Sequence, residues 1–199
     1  PQCLVRAHCP NPGRMQELLF PGTPVILEEA AAWAPEGPAP GRSGAKPPTP
    51  RKTRYSLAAC RYRGKIVSLN SSRGNLAAEE LILPRLFPRA DAVRREVNLG
   101  SSRFDFLVVA GDRRHIVEVK ACTLCEHGVA MFPDAPTVRG TRHVLELRES
   151  SAAGLVPHII LVIFHRDAGI FVPNVHTDPA FAEALETAAA AGVRIHPAV

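Results

Sequence analysis

The first seventy residues contain short strand-like segments of apolar and polar positions, and no segment among them has helical periodicity. Clusters of Pro, Gly and Asn separate the apolar runs and predict turns, including a hairpin at Arg63-Gly64 and a loop over residues 35–50. These patterns predict a small all-β unit over residues 1–71, and a compact barrel of the OB type would fit it. The predicted strands are residues 3–7, 24–29, 54–62 and 65–70.

The remaining residues, 72–199, combine helical and strand periods in the order α-β-β-β-α-β-α-β. The run at 158–164 is apolar throughout, as strands covered on both faces are. The order predicts an α/β domain with a mixed sheet, of ordinary domain size. The predicted strands are residues 95–99, 103–110, 115–122, 158–164 and 193–196.

Three helices complete this second pattern, at residues 76–86, 137–152 and 178–191. In the first, the apolar positions are Leu76, Leu81 and Leu83, and Pro84 and Pro88 are predicted to stop the helix. Thr137 is a good N-cap for the second helix. Gly192 follows the third helix, as glycine does where a helix ends in a left-handed residue.

Composition limits the class of protein. With 199 residues, 46% hydrophobic and 22% charged, the chain has the balance of an ordinary globular protein. Its apolar runs fall far short of the roughly 20 residues that span a bilayer, and no leader-like segment is present. We therefore expect a cytoplasmic protein without membrane contact. The chain opens at Pro1 without a Met, which is typical of a sequence whose true N-terminus lies further upstream.

The five cysteines are odd in number and scattered, unlike a secreted disulfide framework. Reduced thiols are therefore expected. Cys122 and Cys125 have CxxC spacing, but the sequence holds no second such pair to complete a tetrahedral zinc site.

A formal net charge of +5 and a pI near 9.2 favour polyanionic partners, because fixed positive charge attracts phosphate groups. The charge is concentrated in one segment, residues 51–73, which contains seven basic residues and no carboxylate. This segment is a candidate surface for nucleic acid, and the alternative is a solvated basic face. Its basic residues, called the basic block below, are Arg51, Lys52, Arg54, Arg61, Arg63, Lys65 and Arg73.

Two neighbouring predicted strands carry charged residues in otherwise apolar sequence. Strand alternation places Asp105 opposite to its phenylalanine neighbours, and it places Glu118 and Lys120 on one face. Two carboxylates suit Mg²⁺ or Mn²⁺, which prefer oxygen ligands, and an ammonium group can orient water or offset charge on phosphorus. This set can hydrolyse phosphodiesters. The alternative is a buried ion pair between Glu118 and Lys120.

The spacing of Asp105, Glu118 and Lys120 resembles the signature of the PD-(D/E)xK nuclease superfamily, whose core has the element order predicted above. A more specific resemblance, to the SfsA family of sugar fermentation stimulation proteins, runs in order over nearly the whole chain. The segments that carry it are residues 8–15, 102–106, 117–120, 132–140 and 142–143.

The resemblance implies an N-terminal OB-like domain over residues 1–71, a C-terminal PD-(D/E)xK nuclease-like domain over 72–199, and DNA binding. It also implies a regulatory role in sugar utilisation, notably of maltose. Glu96 matches a recurrent glutamate that is expected to assist the metal, and the alternative is a surface charge on an edge strand. Arg139 and His143 match positions able to contact the scissile phosphate. The family's usual first strand is largely absent, so we expect an incomplete barrel.

Our leading hypothesis is a Mg²⁺- or Mn²⁺-dependent nuclease that binds and hydrolyses DNA or RNA, with Asp105 and Glu118 as metal ligands and Lys120 beside them. The alternative is a DNA-binding regulator of sugar metabolism whose carboxylate site is weak or vestigial. The intact trio favours the nuclease.

Overall fold

A computed structural model of the chain describes residues 3–29 and 52–199. The predicted loop at 35–50 and the basic residue Arg51 lie outside the described residues. None of the described helices is long and apolar enough to cross a membrane.

In the described residues, the N-terminal domain contains a four-stranded sheet built around one long central strand. This strand, β3 (Tyr55–Tyr62), pairs antiparallel with β2 (Val25–Glu29), and also with β1 (Ala7–His8, parallel) and β4 (Lys65–Ser68, antiparallel). The hairpin between β3 and β4 is confirmed, and both of its turn residues have the left-handed backbone that such tight turns require. The first strand is shorter than predicted, because only Ala7 and His8 reach a partner strand.

The second domain contains a five-stranded mixed sheet in the order β12-β10-β7-β6-β5. The neighbours β5, β6 and β7 are antiparallel, whereas β10 lies parallel to β7 and to β12. The predicted mixed sheet is therefore confirmed, and β10 is buried over almost its whole length. The strands are β5 (Ala92–Leu99), β6 (Ser102–Ala110), β7 (Arg113–Cys122), β10 (Val156–Ile163) and β12 (Arg194–Ala198).

Two helices, α3 (Val138–Glu149) and α4 (Pro179–Ala190), cover one face of this sheet. Thr137 is the N-cap of α3, as predicted, and its hydroxyl accepts from the amide of Gly140 at 3.0 Å. Asp178 caps α4 through one carboxylate oxygen and accepts from the Thr137 amide, at 2.7 Å, through the other. One carboxylate thus joins the N-termini of both helices. A short 3₁₀ turn, Ser150–Ala153, follows α3.

The opposite face is covered by a helical segment that differs from the predicted helix. It begins earlier, as α1 (Ser72–Ala77), continues through a wide π turn (Ala78–Ile82) and ends as α2 (Leu83–Leu86). Pro84 does not stop the segment, because the π turn lets the amide of Leu83 donate to Ala78, five residues back. The segment ends at Leu86, shortly before Pro88, as predicted for that proline.

The three apolar positions of this segment do not share one environment. Leu83 is buried and Leu76 and Leu81 are about half exposed, whereas the small residues Gly74 and Ala78 are buried against the sheet. A Cβ atom at Gly74 would lie 3.2 Å from that of Ala121, so the helix approaches too closely for larger side chains.

A second, three-stranded sheet was not predicted. It consists of β8 (Leu124–Glu126), β9 (Val129–Phe132) and β11 (Ile170–Pro173), in the order β11-β9-β8. Each strand has only three or four residues, too few for an alternating pattern to be detected.

All five cysteines are free, as expected, and burial raises the pKa of Cys122 to about 12.

Three histidines from β7, β10 and β12 form a hydrogen-bonded row beneath the ring of Phe87. His115 Nδ1 lies 3.0 Å from His158 Nε2, and His158 Nδ1 lies 2.9 Å from His196 Nε2. Burial, together with the positive charge of Arg194, lowers the pKa of all three histidines. The pKa of His158 falls to about 3. The row is therefore neutral in the folded protein at neutral pH.

We expect acid to destabilise the fold through this row. In the unfolded chain these histidines bind protons as the pH falls through about 6.5, while the folded chain resists protonation. Their contribution to stability is therefore complete above that pH and is lost below it, by at most about 1.4 kcal/mol per pH unit for each group. Urea denaturation between about pH 7.5 and about pH 5.5 measures the slope of the unfolding free energy, above the range in which carboxylates titrate.

Replacing His158 by Leu should flatten this slope, because the most strongly shifted of the three groups is removed. Replacement of the exposed His176 by Leu is the matched control and should leave the slope unchanged. A free energy of unfolding that does not vary over this pH range would contradict the expectation.

Candidate active site

The candidate site lies where β6 separates from β7. The two strands pair in register from Ala110↔Arg113 to Phe106↔Val117, and the pairing ends there. Asp105 is the next residue of β6, and its Oδ2 accepts from the Val119 amide at 2.7 Å. A side-chain carboxylate therefore satisfies a strand amide after the backbone ladder has ended.

The separation also changes which faces the neighbouring side chains cover. Phe106 packs with Val117 and Val119 on the α1 side of the sheet, but Phe104 packs on the α3 and α4 side. The prediction that Asp105 projects opposite to two phenylalanines on one face was therefore wrong, because β6 does not keep regular alternation at this point. The predicted alternation in β7 is confirmed for Val117 and Val119.

Asp105 is half-buried and held on both carboxylate oxygens. The Nδ2 of Asn75, on α1, donates to its Oδ1 at 2.6 Å, while Val119 donates to Oδ2. Burial and the nearby negative charge of Glu118 raise the pKa of Asp105 above its ordinary value. The charge of each of these two carboxylates thus disfavours ionisation of the other.

Glu118 is almost fully buried and has two partners on one oxygen. Its Oε1 lies 2.6 Å from Lys120 Nζ and 2.7 Å from His143 Nδ1. Burial alone would raise the pKa of Glu118, but the hydrogen bonds from His143 and Lys120 and the charge of Lys120 outweigh it, and the pKa is lowered. Its other oxygen, Oε2, is buried and has no hydrogen-bond partner among the described residues.

The three predicted residues Asp105, Glu118 and Lys120 line one cavity of about 420 Å³, the size of a small-ligand site. Asn75 and Arg139 line the same cavity. The N-terminal domain contributes a wall of this cavity through residues 11–13, so both domains build the site.

The two domains are joined beside this cavity through Asp134. Its Oδ2 accepts from the amide of Met15 at 3.2 Å, and its carboxylate lies where a side chain on Gly13 would be. A Cβ atom on Gly13 would lie within 2.6 Å of three atoms of that carboxylate. Only glycine at this position allows the contact in its present form.

Glu96 is not brought into the cavity. It lies on the edge strand β5 opposite Asp105, its side chain is 67% exposed, and its carboxylate lies 3.5 Å from Arg103. Its backbone is left-handed (φ 53°), which is uncommon for a residue other than glycine. The predicted contact with a metal has no geometric support here.

The described part of the basic block divides into paired and unpaired residues. Arg54, Lys65 and Arg73 form ion pairs with carboxylates, so part of the predicted positive surface is neutralised. Among the described residues, no carboxylate lies within ion-pair distance of Lys52, Arg61 or Arg63. The Arg63 guanidinium also lies over the ring of Tyr62, 5.3 Å from its centroid.

Arg139 and His143 occupy different environments although they lie one helical turn apart. Arg139 is exposed at the cavity, as a residue that contacts phosphate should be. His143 is only 3% exposed and contacts Glu118 with its ring. His143 also lines the cavity, but its ring is bound to Glu118, so it lies behind the carboxylate; its predicted contact with phosphate stays a prediction.

Comparison with known proteins assigns both halves of the chain. Residues 72–199 match the family described as "Sugar fermentation stimulation protein RE domain", and residues 2–69 match "SfsA N-terminal OB domain". The chain belongs to the SfsA family. The predicted OB-like domain and α/β domain with a mixed sheet are thus confirmed.

Individual SfsA relatives are similar along nearly the whole chain. The homolog from Thermotoga neapolitana is 40% identical over 190 residues, which cover 96% of this chain and 75% of that protein. The homolog from Desulfitobacterium hafniense (strain DSM 10664 / DCB-2) is 37% identical over 188 residues, covering 94% and 75%. The solved structure of Pyrococcus furiosus SfsA in complex with Ca²⁺ matches with a TM-score of 0.80 at 31% identity, covering 97% of this chain and 77% of that chain.

Sequence reasoning missed two elements of this SfsA site. Asn75, which holds Asp105, stands in a helix start whose polar residues have many possible uses, so its sequence carries no distinguishing signal. The contact of Asp134 with residues 13–15 joins positions far apart in the chain, although both segments belong to motifs that carried the family resemblance.

We expect Gly13→Ala to lower the free energy of unfolding by about 1–2 kcal/mol, because the new methyl group displaces Asp134 from the Met15 amide. In an Asp134→Ala background the same change should cost much less, since the displaced carboxylate is absent. Denaturant melts of both single variants and the double variant measure this coupling. Gly169→Ala, at an open position, is the matched control. Additive effects of the two changes would contradict the contact.

Proposed function

We propose that this SfsA-family chain is a metal-dependent phosphodiesterase that binds and hydrolyses DNA or RNA. The observation that carries the proposal is the convergence of Asp105, Glu118 and Lys120 on one cavity at the point where β6 and β7 separate. Two carboxylates and one ammonium group, partly removed from water, are suited to phosphodiester hydrolysis with a divalent cation.

The donor set fits Mg²⁺ or Mn²⁺. Both carboxylates offer the oxygen ligands that these cations prefer, and the buried Oε2 of Glu118 lacks any partner among the described residues. Such an oxygen is costly to leave unsatisfied, and a cation would satisfy it. No group of three or more His, Cys, Asp and Glu suited to a metal occurs in residues 3–29 and 52–199, so Asp105 and Glu118 would hold the ion with water and substrate oxygens.

The relative from Pyrococcus furiosus supports this fit, because its structure was solved in complex with Ca²⁺, another cation that prefers oxygen ligands. When bound, a divalent cation supplies Lewis-acid activation of water and neutralises charge on the phosphate. The element order and mixed sheet also agree with a PD-(D/E)xK nuclease core, of which the Asp105, Glu118 and Lys120 spacing is typical.

Three residues that line the cavity have proposed roles that agree with their contacts. Lys120, whose Nζ lies 2.6 Å from Glu118, donates toward the attacking water or a phosphate oxygen and offsets negative charge that grows on the phosphate. Asn75 fixes the carboxylate plane of Asp105 by its 2.6 Å hydrogen bond. Arg139, exposed at the cavity, binds a phosphate oxygen of the substrate.

The same surface supports a second candidate function, a DNA-binding regulator with little or no cleavage. The observation that favours it is the name of the relatives, which refers to stimulation of sugar fermentation and to no enzymatic activity. Both candidates require nucleic-acid binding. Only the nuclease requires cleavage that depends on Asp105 and Lys120.

We expect Asp105→Asn and Lys120→Met to reduce Mg²⁺- or Mn²⁺-dependent cleavage by about a hundredfold or more. The first change weakens metal binding while leaving an oxygen to accept from Val119, and the second removes the ammonium group. Cleavage of single- and double-stranded DNA and RNA, with EDTA as the metal-free reference, is the measurement. Asp112→Asn, an exposed carboxylate in the turn between β6 and β7, is the matched control. If both variants fold and cut as the parent does, the regulator is the better account.

Charge reversal of Arg61 and Arg63 should weaken binding to nucleic acid of any sequence, because phosphate contacts carry little sequence information. The slope of log affinity against log salt should fall in magnitude by about 1–2, one unit for each phosphate that is no longer neutralised. Reversal of Arg113 and Arg114, which changes the net charge equally on the other domain, is the control. An unchanged slope in the first variant would identify the basic block as a solvated face.

A further inference from the structure

The two oxygens of the Glu118 carboxylate have very different surroundings. Both hydrogen-bonding neighbours, Lys120 and His143, contact Oε1, while Oε2 is buried without a partner among the described residues. Two donors on one oxygen fix the rotation of the carboxylate about its last bond. The arrangement keeps Oε2 available for a group that is not part of the protein.

The contacts of His143 determine which ring nitrogen carries its proton. The Nε of Arg139 lies 3.4 Å from His143 Nε2 with the geometry of a donor, and an arginine can only donate. Nε2 must therefore be the accepting, unprotonated nitrogen. The proton of the neutral ring is then on Nδ1, which lies 2.7 Å from Glu118 Oε1 and donates to it.

His143 is suited to hold this orientation because its ring cannot move freely. The residue is 3% exposed, and its ring packs against Phe104 with a centroid distance of 6.0 Å. It projects from α3, whose N-terminus is fixed by the Thr137 cap and by Asp178. A rigid helix therefore supports the donor that orients Glu118.

We propose that His143 is a positioning residue for the metal site, which donates from Nδ1 to Glu118 Oε1 and thereby reserves Oε2 as the metal-binding oxygen. Arg139 acts one step further out, since its donation to Nε2 selects the required tautomer of His143. The inference rests on the proposed metal site, because Oε2 needs a cation as its partner. Partners that orient metal ligands in this way commonly contribute ten- to hundredfold to metal affinity.

The test is direct titration of the full chain with Mn²⁺. Binding is measured by calorimetry and by the electron paramagnetic resonance signal of the free ion. His143→Leu removes the donor, and the Mn²⁺ dissociation constant should rise by about ten- to hundredfold. His143→Asn keeps an N–H at the position of Nδ1, and its loss of affinity should stay below that range. Melting of each metal-free variant shows that the fold is intact.

A measurement on the unmodified protein removes any dependence on how the variants fold. The ¹⁵N chemical shifts of the His143 ring should show a proton on Nδ1 and none on Nε2. A proton on Nε2 alone would overturn the proposal. So would a folded His143→Leu protein that binds Mn²⁺ as tightly as the parent, or a His143→Asn protein that loses as much affinity as His143→Leu.

These outcomes separate the inference from the proposed function. Metal binding that depends on His143, in a protein that cleaves no nucleic acid, would end the nuclease proposal and support the role of His143. Cleavage that depends on Asp105, together with a Mn²⁺ affinity that does not change on substitution of His143, would support the nuclease proposal and end the proposed role of His143. A parent protein that binds no Mn²⁺ would overturn the metal site and the inference together.

Discussion

The hydrogen bond between the Asp105 carboxylate and the Val119 amide is the interaction on which the site depends. Backbone pairing between β6 and β7 ends one residue earlier, at Phe106 and Val117, and an amide left without an acceptor in this half-buried region would be costly. The side chain replaces the missing carbonyl. The strands can therefore separate without loss of hydrogen bonding, and the gap between them becomes the cavity that Glu118 and Lys120 line.

The charges in this gap do not compensate one another fully. Asp105 and Glu118 face one ammonium group, and Lys120 is already engaged with Glu118, while Asp134 and the exposed Arg139 add one charge of each sign to the cavity wall. The pKa of Asp105 is raised and that of Glu118 is lowered, because the donors to Glu118 include the charged Lys120, whereas both donors to Asp105 are neutral amides. An additional positive charge between the acids would favour the ionised form of both. The site thus has an electrostatic reason to bind a cation, independent of any sequence signature.

Much of the architecture was predictable because local rules determine it. The caps at Thr137 and Gly192, the Arg63-Gly64 hairpin and the alternation of Val117 and Val119 all express preferences of a few neighbouring residues. The departures arise where tertiary contact overrides such rules. The π turn before Pro84, the inward Gly74 and the face change at Phe104 depend on how closely a helix or strand meets its neighbour. The places of His143 and Asn75 follow from the same assembly, which no single segment specifies.

The contact between Met15 and Asp134 links residues 119 positions apart in the chain and stands beside the cavity. A site bounded by segments so distant cannot form on a nascent chain until the second domain has left the ribosome, since one wall comes from residues 11–13 and another from α3. Partly synthesised or proteolytically clipped chains would therefore lack a complete site. Whatever the site binds, it can do so only in molecules that retain both domains.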